Sequence, residues 1–349
     1  MTQPLHIFDL DDDALRQIVT DWGEQAYRAK QILEWVYAKR ANTFDAMANL
    51  PKTLRDTLNE KVKITSSTIV RHQQATDGVE KLLMDWSGSL TPVIDPQSQT
   101  ECVMIPTDKR RTACVSSQIG CAVGCRFCAS GLGGLDGDLS AGQIVEQVWR
   151  LSHERRITNV VFMGMGEPLS NFENVTRAVR YLMADWGMNI SGRRITISTV
   201  GLPAQIRRLA DEKIPVTLAI SLHAPNDDIR RELIPWADYV TINQLVEAGR
   251  YYFDSTGREI TLEYILLRNV NDRPDHAREL AGVARSLRSN VNLIRYNEVK
   301  NLPYGRPETD DIHRFQTILR DAGVNTHIRA SRGRDIAAAC GQLRHESSN

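Results

Sequence analysis

The run Thr112-Ala-Cys-Val-Ser-Ser-Gln-Ile-Gly-Cys-Ala-Val-Gly-Cys-Arg-Phe-Cys128 sets the architecture of the chain. It begins as a strand-like segment, Thr112–Ser116, and continues into a glycine-containing loop that carries three cysteines. Ser140 and Gln143 then form a capping box, which predicts that a helix begins soon after this loop. The run is therefore the first strand–loop–helix unit of a larger domain, and its loop contains the residues with the most chemistry.

The same alternation of strand and helix repeats toward the C-terminus. Amphipathic helical stretches separate six further strand-like runs, which are Asn159–Met163, Ile195–Thr199, Val216–Leu222, Ile260–Leu267, Val291–Asn297 and Thr326–Arg329. Repeated alternation of this kind predicts a parallel sheet covered by helices. About six such units indicate an incomplete α/β barrel rather than a closed barrel of eight strands.

Two regions precede this core. Over the first 65 or so positions the pattern is helical, and Asp11 is placed to cap a helix whose apolar face includes Leu15 and Trp22. Short β-like runs and turn signals follow. We therefore predict an N-terminal helical accessory domain (1–65), a β-rich connector (66–106), a core domain (107–345) and a tail (346–349). The accessory domain is interpreted either as a plain helical cap or as a substrate-docking module.

The composition is that of a globular protein. Of the 349 residues 42% are hydrophobic and 25% are charged, and the formal net charge is +0. Any contact with nucleic acid would thus depend on local basic clusters, such as Arg230-Arg231 or the run from Arg329 to Arg334. No apolar run approaches the ~18 residues of a membrane helix, and the N-terminus lacks an apolar signal core. We expect a cytoplasmic protein without membrane contact, in which thiols stay reduced.

Three of the six cysteines have the spacing of metal ligands. Cys121, Cys125 and Cys128 are separated by three and then two residues, so their thiolates can hold three irons of an iron–sulfur cube. The fourth iron keeps an open position, which suits a small molecule with an amine and a carboxylate. The alternative is a structural zinc site with a distant fourth ligand, although such sites usually show two ligand pairs.

This loop resembles the signature of radical S-adenosylmethionine (SAM) enzymes, in which the open iron binds SAM and reduction cleaves it to a 5′-deoxyadenosyl radical. The resemblance implies a partial (β/α)6 barrel with a 4Fe-4S cluster and SAM as cofactors. It assigns SAM contacts to strand ends, where ligands of parallel sheets gather. These contacts are Gly166, Glu167, Ser198, Ser221, Leu222, His223 and Asn297.

Cys114 and Cys340 remain outside the loop. A lone buried cysteine is usually a small apolar residue. However, one reaction of SAM enzymes would need such cysteines, namely methylation of an electron-poor ring carbon. Carbons 2 and 8 of adenine are examples: they do not attack the methyl group of SAM, whereas a thiolate does so readily. A radical can then activate the methyl group on sulfur, and a second thiol can release the resulting adduct by forming a disulfide. That chemistry requires two cysteines beyond the cluster ligands.

Over nearly its whole length the chain resembles the RlmN family of RNA adenosine methyltransferases, which modify 23S rRNA and tRNA. The stretches that carry the resemblance are Arg28–Ile32, Cys114–Gln118, Ser221–Asp227, Pro303–Arg306 and Cys340–Leu343. It implies that Cys340 carries the methyl group as S-methylcysteine, that Cys114 is the resolving thiol and that Glu101 accepts a proton. Cys102 receives no role.

The resemblance also implies methylation at carbon 2, 23S rRNA and tRNA as partners, an electron donor such as flavodoxin or ferredoxin, and a monomer. Methylation at carbon 8, as in the Cfr relatives, stays open. Pro168 favours the carbon 2 enzymes, whereas the pattern around Tyr296 resembles the carbon 8 group. Two other classes are a glycyl-radical activase, which has no need for Cys114 or Cys340, and a non-catalytic RNA-binding module with structural zinc.

Overall fold

The computed structural model describes residues 4–88, 96–153 and 155–343, so the predicted tail, 346–349, lies outside the described residues. The helices are α1 Asp12–Asp21, α2 Tyr27–Leu33, α3 Lys52–Lys61, α4 Ala141–Leu151, α5 Phe172–Met183, α6 Pro203–Asp211, α7 Asp227–Leu233, α8 Ile242–Thr256, α9 Pro274–Arg285 and α10 Thr309–Asp321. The strands are β1 Leu5–His6, β2 Val62–Lys63, β3 Thr68–Gln74, β4 Glu80–Asp85, β5 Gln99–Pro106, β6 Arg111–Cys114, β7 Gln118–Gly120, β8 Leu135–Asp138, β9 Asn159–Phe162, β10 Ile195–Thr199, β11 Thr217–Ser221, β12 Ile260–Leu266, β13 Ser289–Arg295 and β14 Thr326–Arg329. Within the described ranges, no helix combines the length and apolar character needed to cross a membrane.

A ten-stranded sheet organises the molecule, in the order β14-β13-β12-β11-β10-β9-β6-β5-β4-β3. The seven strands from β6 to β14 along this order pair in parallel, and β5, β4 and β3 continue the sheet in antiparallel fashion. Within the described residues β14 and β3 are the two edges, so the sheet is open. The α/β prediction and the seven predicted core strands are confirmed, and the predicted β-rich region extends the main sheet.

Helices α4 to α10 connect successive parallel strands, as the alternation predicted. At the start of α4 the Ser140 hydroxyl accepts from the Gln143 amide at 3.1 Å, and the Gln143 side chain accepts from the Ser140 amide at 2.8 Å. The predicted capping box is therefore confirmed. Every residue of β12 is buried, as expected for a central strand with helices on one face and the site on the other.

The N-terminal helices pack directly against α4. The Asp11 carboxylate accepts from the Ala14 amide at 2.8 Å, which confirms the predicted cap of α1. Asp9 accepts from the backbone amide of Gly142 at 2.6 Å, and the Trp149 indole donates to the carbonyl of Val36 at 2.9 Å. The apolar cores of the two regions form one continuous cluster, so the accessory helices share a core with the sheet.

Candidate active site

An open cavity of about 890 Å³ lies at the carboxyl ends of the parallel strands. Nine of the residues selected from the sequence line it together, namely Cys121, Cys125, Cys128, Gly166, Glu167, Ser198, Ser221, His223 and Cys340. Parallel strands bring their carboxyl ends to one edge of the sheet, which explains why residues so far apart in sequence converge.

The three loop cysteines form one wall of this cavity. The loop is held by hydrogen bonds from the Cys121 amide to the Gly134 carbonyl at 2.7 Å and from the Arg126 amide to the Leu233 carbonyl at 2.9 Å. Burial raises the pKa of all three thiols, to about 12 for Cys121. Among the described residues no three His, Cys, Asp or Glu side chains converge as ligands of a single ion. An iron–sulfur cube instead takes each thiolate on a different iron.

Gly166 and Glu167 follow β9 at the cavity floor. Gly166 has a φ of +97°, and a Cβ there would lie 2.6 Å from the Cβ of Gln118, so only glycine fits. The Glu167 carboxylate accepts from the backbone amides of Leu169 at 2.9 Å and Val200 at 2.7 Å. Burial outweighs these bonds and raises the pKa of Glu167 to about 7. The carboxylate is thus fixed in place beside the loop thiols.

Ser198, Ser221 and His223 add polar groups to the same wall. The two serine hydroxyls lie 3.2 Å apart. His223 has a φ of +58°, and its Nδ1 accepts from the Ile265 amide at 3.1 Å, which puts the ring proton on Nε2. Burial, with a smaller contribution from the charge of Arg230, lowers the pKa of His223 to about 3. The imidazole is therefore neutral and edge-on to Phe127, at a centroid distance of 5.1 Å.

Leu222 and Asn297 do not line the cavity. The side chain of Leu222 is buried in the main core, and its backbone amide donates to the Glu263 carbonyl at 3.1 Å. Asn297 lies behind Cys340, and its Nδ2 donates to the Cys340 carbonyl at 3.2 Å. Its Oδ1 is buried and has no hydrogen-bond partner in the part of the chain that the structure describes. Asn297 thus offers a free acceptor next to the cavity.

Of the three cysteines outside the loop, Cys114 and Cys340 are the two with an expected role in thiol chemistry. Cys340 faces the cavity, whereas Cys114 is buried on β6 in a small apolar cluster with Val103, Ala338 and Leu343. Burial raises the pKa of both thiols, to about 12 for Cys114. The positive charge of Arg329 acts in the opposite direction on each. Arg329 therefore favours the Cys340 thiolate, but burial has the larger effect.

Arg329 and Glu263 are site residues that the sequence did not single out for this role. Arg329 Nη1 lies 3.9 Å from Glu263 Oε2 and 3.2 Å from the sulfur of Met163. Burial raises the pKa of Glu263, whereas Arg329 lowers it. An acidic residue within an otherwise apolar strand was the signal available for Glu263.

Arg230 was a candidate for RNA contact, and that prediction is wrong. Its side chain is fully buried. Its guanidinium donates to the carbonyls of Val200 at 2.6 Å and Val240 at 3.0 Å. Arg230 instead supports the loop after β10, because a buried guanidinium needs such acceptors.

Glu101 lies on β5 beside Cys114 and outside the cavity lining. Val103 pairs with Cys114 across β5 and β6, so Glu101, two residues earlier, is on the same face as the Cys114 side chain and diagonal to it. Its carboxylate is buried and forms an ion pair with Lys81, with Nζ and Oε1 2.8 Å apart. The structure thus brings together Cys114, Cys340 and Glu101 on one side of the sheet.

The residues present fit an iron–sulfur cluster and SAM. Cys121, Cys125 and Cys128 lie on one wall of the cavity and would hold three irons of a cluster, so one iron would have no protein ligand. The unpartnered Oδ1 of Asn297, the hydroxyls of Ser198 and Ser221 and the Glu167 carboxylate supply polar contacts for a ligand with an amine, a carboxylate and ribose hydroxyls. Apolar side chains line the rest and suit an adenine ring, namely Val123, Phe127, Val200, Ile265 and Ile294.

Two known sequence families match this architecture. The radical SAM superfamily matches residues 115–281. The family described as the ribosomal RNA large subunit methyltransferase N-terminal domain matches residues 5–64. With the thiol-lined cavity, these matches define the chain as a radical SAM enzyme.

Similar proteins share the whole length of the chain. A Rhodopirellula baltica protein named probable dual-specificity RNA methyltransferase RlmN is 43% identical over 97% of this chain and 90% of its own length. A protein of the same name from Dictyoglomus thermophilum is 42% identical over 97% of this chain and 96% of its own length. The crystal structure of a radical SAM methyltransferase from Sphaerobacter thermophilus has a TM-score of 0.93 and 44% identity, covering 98% of this chain and 100% of that one. The chain belongs to the RlmN family of radical SAM RNA methyltransferases, which use a 4Fe-4S cluster and SAM.

Proposed function

We propose that this protein methylates carbon 2 of an adenosine in 23S rRNA and in tRNA, with Cys340 as the methyl carrier. The observation that carries the proposal is that Cys340 lines the same cavity as the three loop thiols, with Cys114 and Glu101 on the face of the sheet that its neighbours Ala338 and Leu343 cover. Several relatives carry the name dual-specificity RNA methyltransferase, which supports both RNA classes.

In this proposal Cys121, Cys125 and Cys128 hold the cluster. Gly166, Glu167, Ser198, Ser221, Leu222, His223 and Asn297 form the SAM site, Leu222 through its backbone. When bound, the cluster and SAM supply the methyl group and the radical that removes one hydrogen atom from it. The electrons come from an external donor such as flavodoxin or ferredoxin. The enzyme acts in the cytoplasm as a monomer. The helices of residues 1–65 dock the RNA.

The protein residues then act in sequence. The Cys340 thiolate first takes the methyl group, and S-adenosylhomocysteine leaves. After hydrogen removal the carbon on Cys340 bonds to carbon 2 of the adenine, and Glu101 takes the carbon 2 proton. The cluster, held by the three loop cysteines, would supply the acceptor for the one electron that the ring must lose. Cys114 attacks the sulfur of Cys340, so that an S–S bond forms and the C–S bond breaks. The released carbon takes up a proton and becomes the new methyl group, and an external thiol reduces the disulfide.

The test is to identify the modified base. The cluster is reconstituted without oxygen, the enzyme turns over SAM with a reductant and either 23S rRNA or tRNA, and the digested RNA is compared with methyladenosine standards by mass spectrometry. We expect 2-methyladenosine in both RNAs. Exclusive 8-methyladenosine would move the protein to the Cfr type of reaction, and absence of either base from an enzyme that cleaves SAM would refute the proposed function.

A further inference from the structure

The segment that carries Cys340 is anchored by the β3–β4 hairpin, far away in sequence. We call residues 330–343 the C-terminal segment. The Asp77 carboxylate accepts from the Gly333 amide at 3.0 Å, and Asp335 accepts from the Thr76 amide at 2.9 Å. The Lys81 ammonium donates to the Ala337 carbonyl at 3.2 Å, three residues before Cys340. The antiparallel extension of the sheet thus has a direct connection to the methyl-carrying cysteine.

Lys81 also contacts Glu101, and both side chains are buried. Lys81 is 5% exposed and Glu101 is 4% exposed, and their charged atoms are 2.8 Å apart. Lys81 pairs with Val103 on β5, and Val103 pairs with Cys114 on β6, so the three residues form one row across the sheet. Adjacent strands are ~4.8 Å apart, which places Lys81 about two strand spacings from Cys114.

Stability alone is a poor reason for this ion pair. Two charges removed from water cost several kcal/mol, and apolar residues of similar volume often replace a buried pair without loss. The surroundings here are apolar, since Val79, Val103 and Met165 form the local cluster. An ion pair in this position instead holds a carboxylate in a fixed orientation on the same face of the sheet as Cys114.

We propose that Lys81 is a positioning residue of the methyl-transfer site, which holds the carboxylate of Glu101 in place as proton acceptor and ties it to the C-terminal segment. This inference rests on the proposed function and on the role given to Glu101 there. Lys81 does not touch the cavity, and other bonds hold the neighbours of Cys340 itself. These are Asn297 to the Cys340 carbonyl, the Ala129 amide to the Gly341 carbonyl, Gln342 to the Glu298 carbonyl and Ser130 to the Leu343 carbonyl.

The consequence is a separation of the two half-reactions. Without Lys81, SAM still methylates Cys340, because the bonds around Cys340 remain. Proton removal from the RNA adduct becomes slow, since Glu101 loses its orientation and its compensating charge. The adduct then accumulates on the enzyme.

The test compares Lys81→Met, Lys81→Arg, Glu101→Gln and the double variant Lys81→Met/Glu101→Gln. The control is Lys213→Met, which changes an exposed lysine before β11. Three quantities are measured on reconstituted full-length enzyme: Cys340 methylation by SAM alone, covalent protein–RNA adduct on denaturing gels, and the rate of release of methylated RNA. Thermal unfolding is followed in parallel.

We expect Lys81→Met to methylate Cys340 as wild type does, but to accumulate adduct and release product at least ~10-fold more slowly, a loss comparable to that in Glu101→Gln. Lys81→Arg should recover part of the rate. The double variant should regain stability, because no unpaired charge stays buried, while its release remains as slow as in Glu101→Gln.

Three outcomes would overturn the inference. Release from Lys81→Met at the wild-type rate would remove any role for Lys81 in the reaction. Recovery of the rate together with stability in the double variant would leave Lys81 a structural residue only. Normal release by Glu101→Gln would remove the role of Glu101 and the inference with it. In contrast, failure of the wild-type enzyme to methylate RNA at all would refute the proposed function itself.

Discussion

Gly166 shows how strongly a single position constrains the cavity. Its φ of +97° lies in a region that side-chain-bearing residues avoid, and the position of a Cβ is already occupied by Gln118. The backbone amide of the next residue, Glu167, donates a hydrogen bond to the Gln118 side chain at 2.8 Å, and this bond fixes its orientation. A change at Gly166 therefore displaces the floor of the cavity as well as straining the backbone.

We expect Gly166→Ala to lower stability by about 1–3 kcal/mol and SAM affinity by at least ~10-fold, through strain and displacement of Glu167. The matched control is Gly282→Ala, on the exposed side of α9, where a Cβ meets nothing within 4 Å. That change should raise stability by up to about 1 kcal/mol and leave SAM binding unchanged. Thermal unfolding and equilibrium dialysis with labelled SAM measure both effects. Equal SAM affinity in the two variants would show that Gly166 does not shape the cavity.

Individual site residues could be predicted from the sequence only where their signal lies in neighbouring residues. The loop thiols, Gly166 and Glu167 carry local signals, because spacing and strand ends can be recognised without a structure. Lys81 carries none: its contact with Ala337 spans 256 positions, and its pairing with Val103 depends on strand register. Register changes which face a side chain occupies, and a sequence pattern alone does not fix it.

At the scale of the secondary-structure elements, the contact between the N-terminal region and α4 contains buried charged groups. His6 Nε2 lies 3.0 Å from the buried carboxylate of Glu146, and its Nδ1 lies 3.5 Å from Asp9. Burial lowers the pKa of His6, but the two carboxylates outweigh it and raise the pKa to about 9. Burial raises the pKa of Glu146, but His6 and the serines beside it lower the value to about 2. A charged histidine thus joins the accessory helices to the core.

His6→Ala should destabilise the protein by about 3 kcal/mol near pH 6, because the Glu146 carboxylate stays buried without its partner. The pKa of His6 is higher in the folded state, so its contribution is complete below about 6.5 and is lost as the pH rises through about 9. The difference between variant and wild type should therefore shrink over that interval in urea unfolding experiments. Arg278→Ala, which removes an exposed ion pair with Asp275, should cost at most about 1 kcal/mol. A difference for His6→Ala that is independent of pH would exclude this linkage.

Helix starts and parallel strands were predictable because caps and apolar periodicity are local. The caps at Asp11 and Ser140 are examples. The π-helical turn Glu34–Ala38, which continues α2, had no such signal. The sequence also did not predict that β3, β4 and β5 join the main sheet. Short β runs of this kind can form a separate small sheet as well as extend a larger one.

At the scale of the whole molecule, the proposed reaction uses thiols at two places in a chain whose formal net charge is +0. The loop thiols and Cys340 face the cavity, whereas Cys114 is buried on β6, and the charge of Arg329 lowers the pKa of both Cys114 and Cys340 against the effect of burial. The C-terminal segment packs on the apolar cluster of Cys114 and, through the Gly341 carbonyl, also accepts a hydrogen bond from Ala129, the residue after the loop cysteine Cys128. In the proposed reaction, methyl transfer and adduct release depend on two cysteines that are 226 positions apart.

Trapping of the covalent adduct tests most directly whether Cys340 carries the methyl group and Cys114 releases the adduct. Reconstituted Cys114→Ala enzyme is incubated with SAM, reductant and RNA, and the protein is analysed on denaturing gels and by peptide mapping. For Cys114→Ala we predict RNA attached covalently to Cys340. Cys340→Ala should give neither an adduct nor methylated RNA. The control Cys102→Ala, which changes a buried cysteine on β5 without an assigned role, should release methylated RNA normally. Free methylated RNA in normal yield from Cys114→Ala would show that Cys114 does not resolve the adduct.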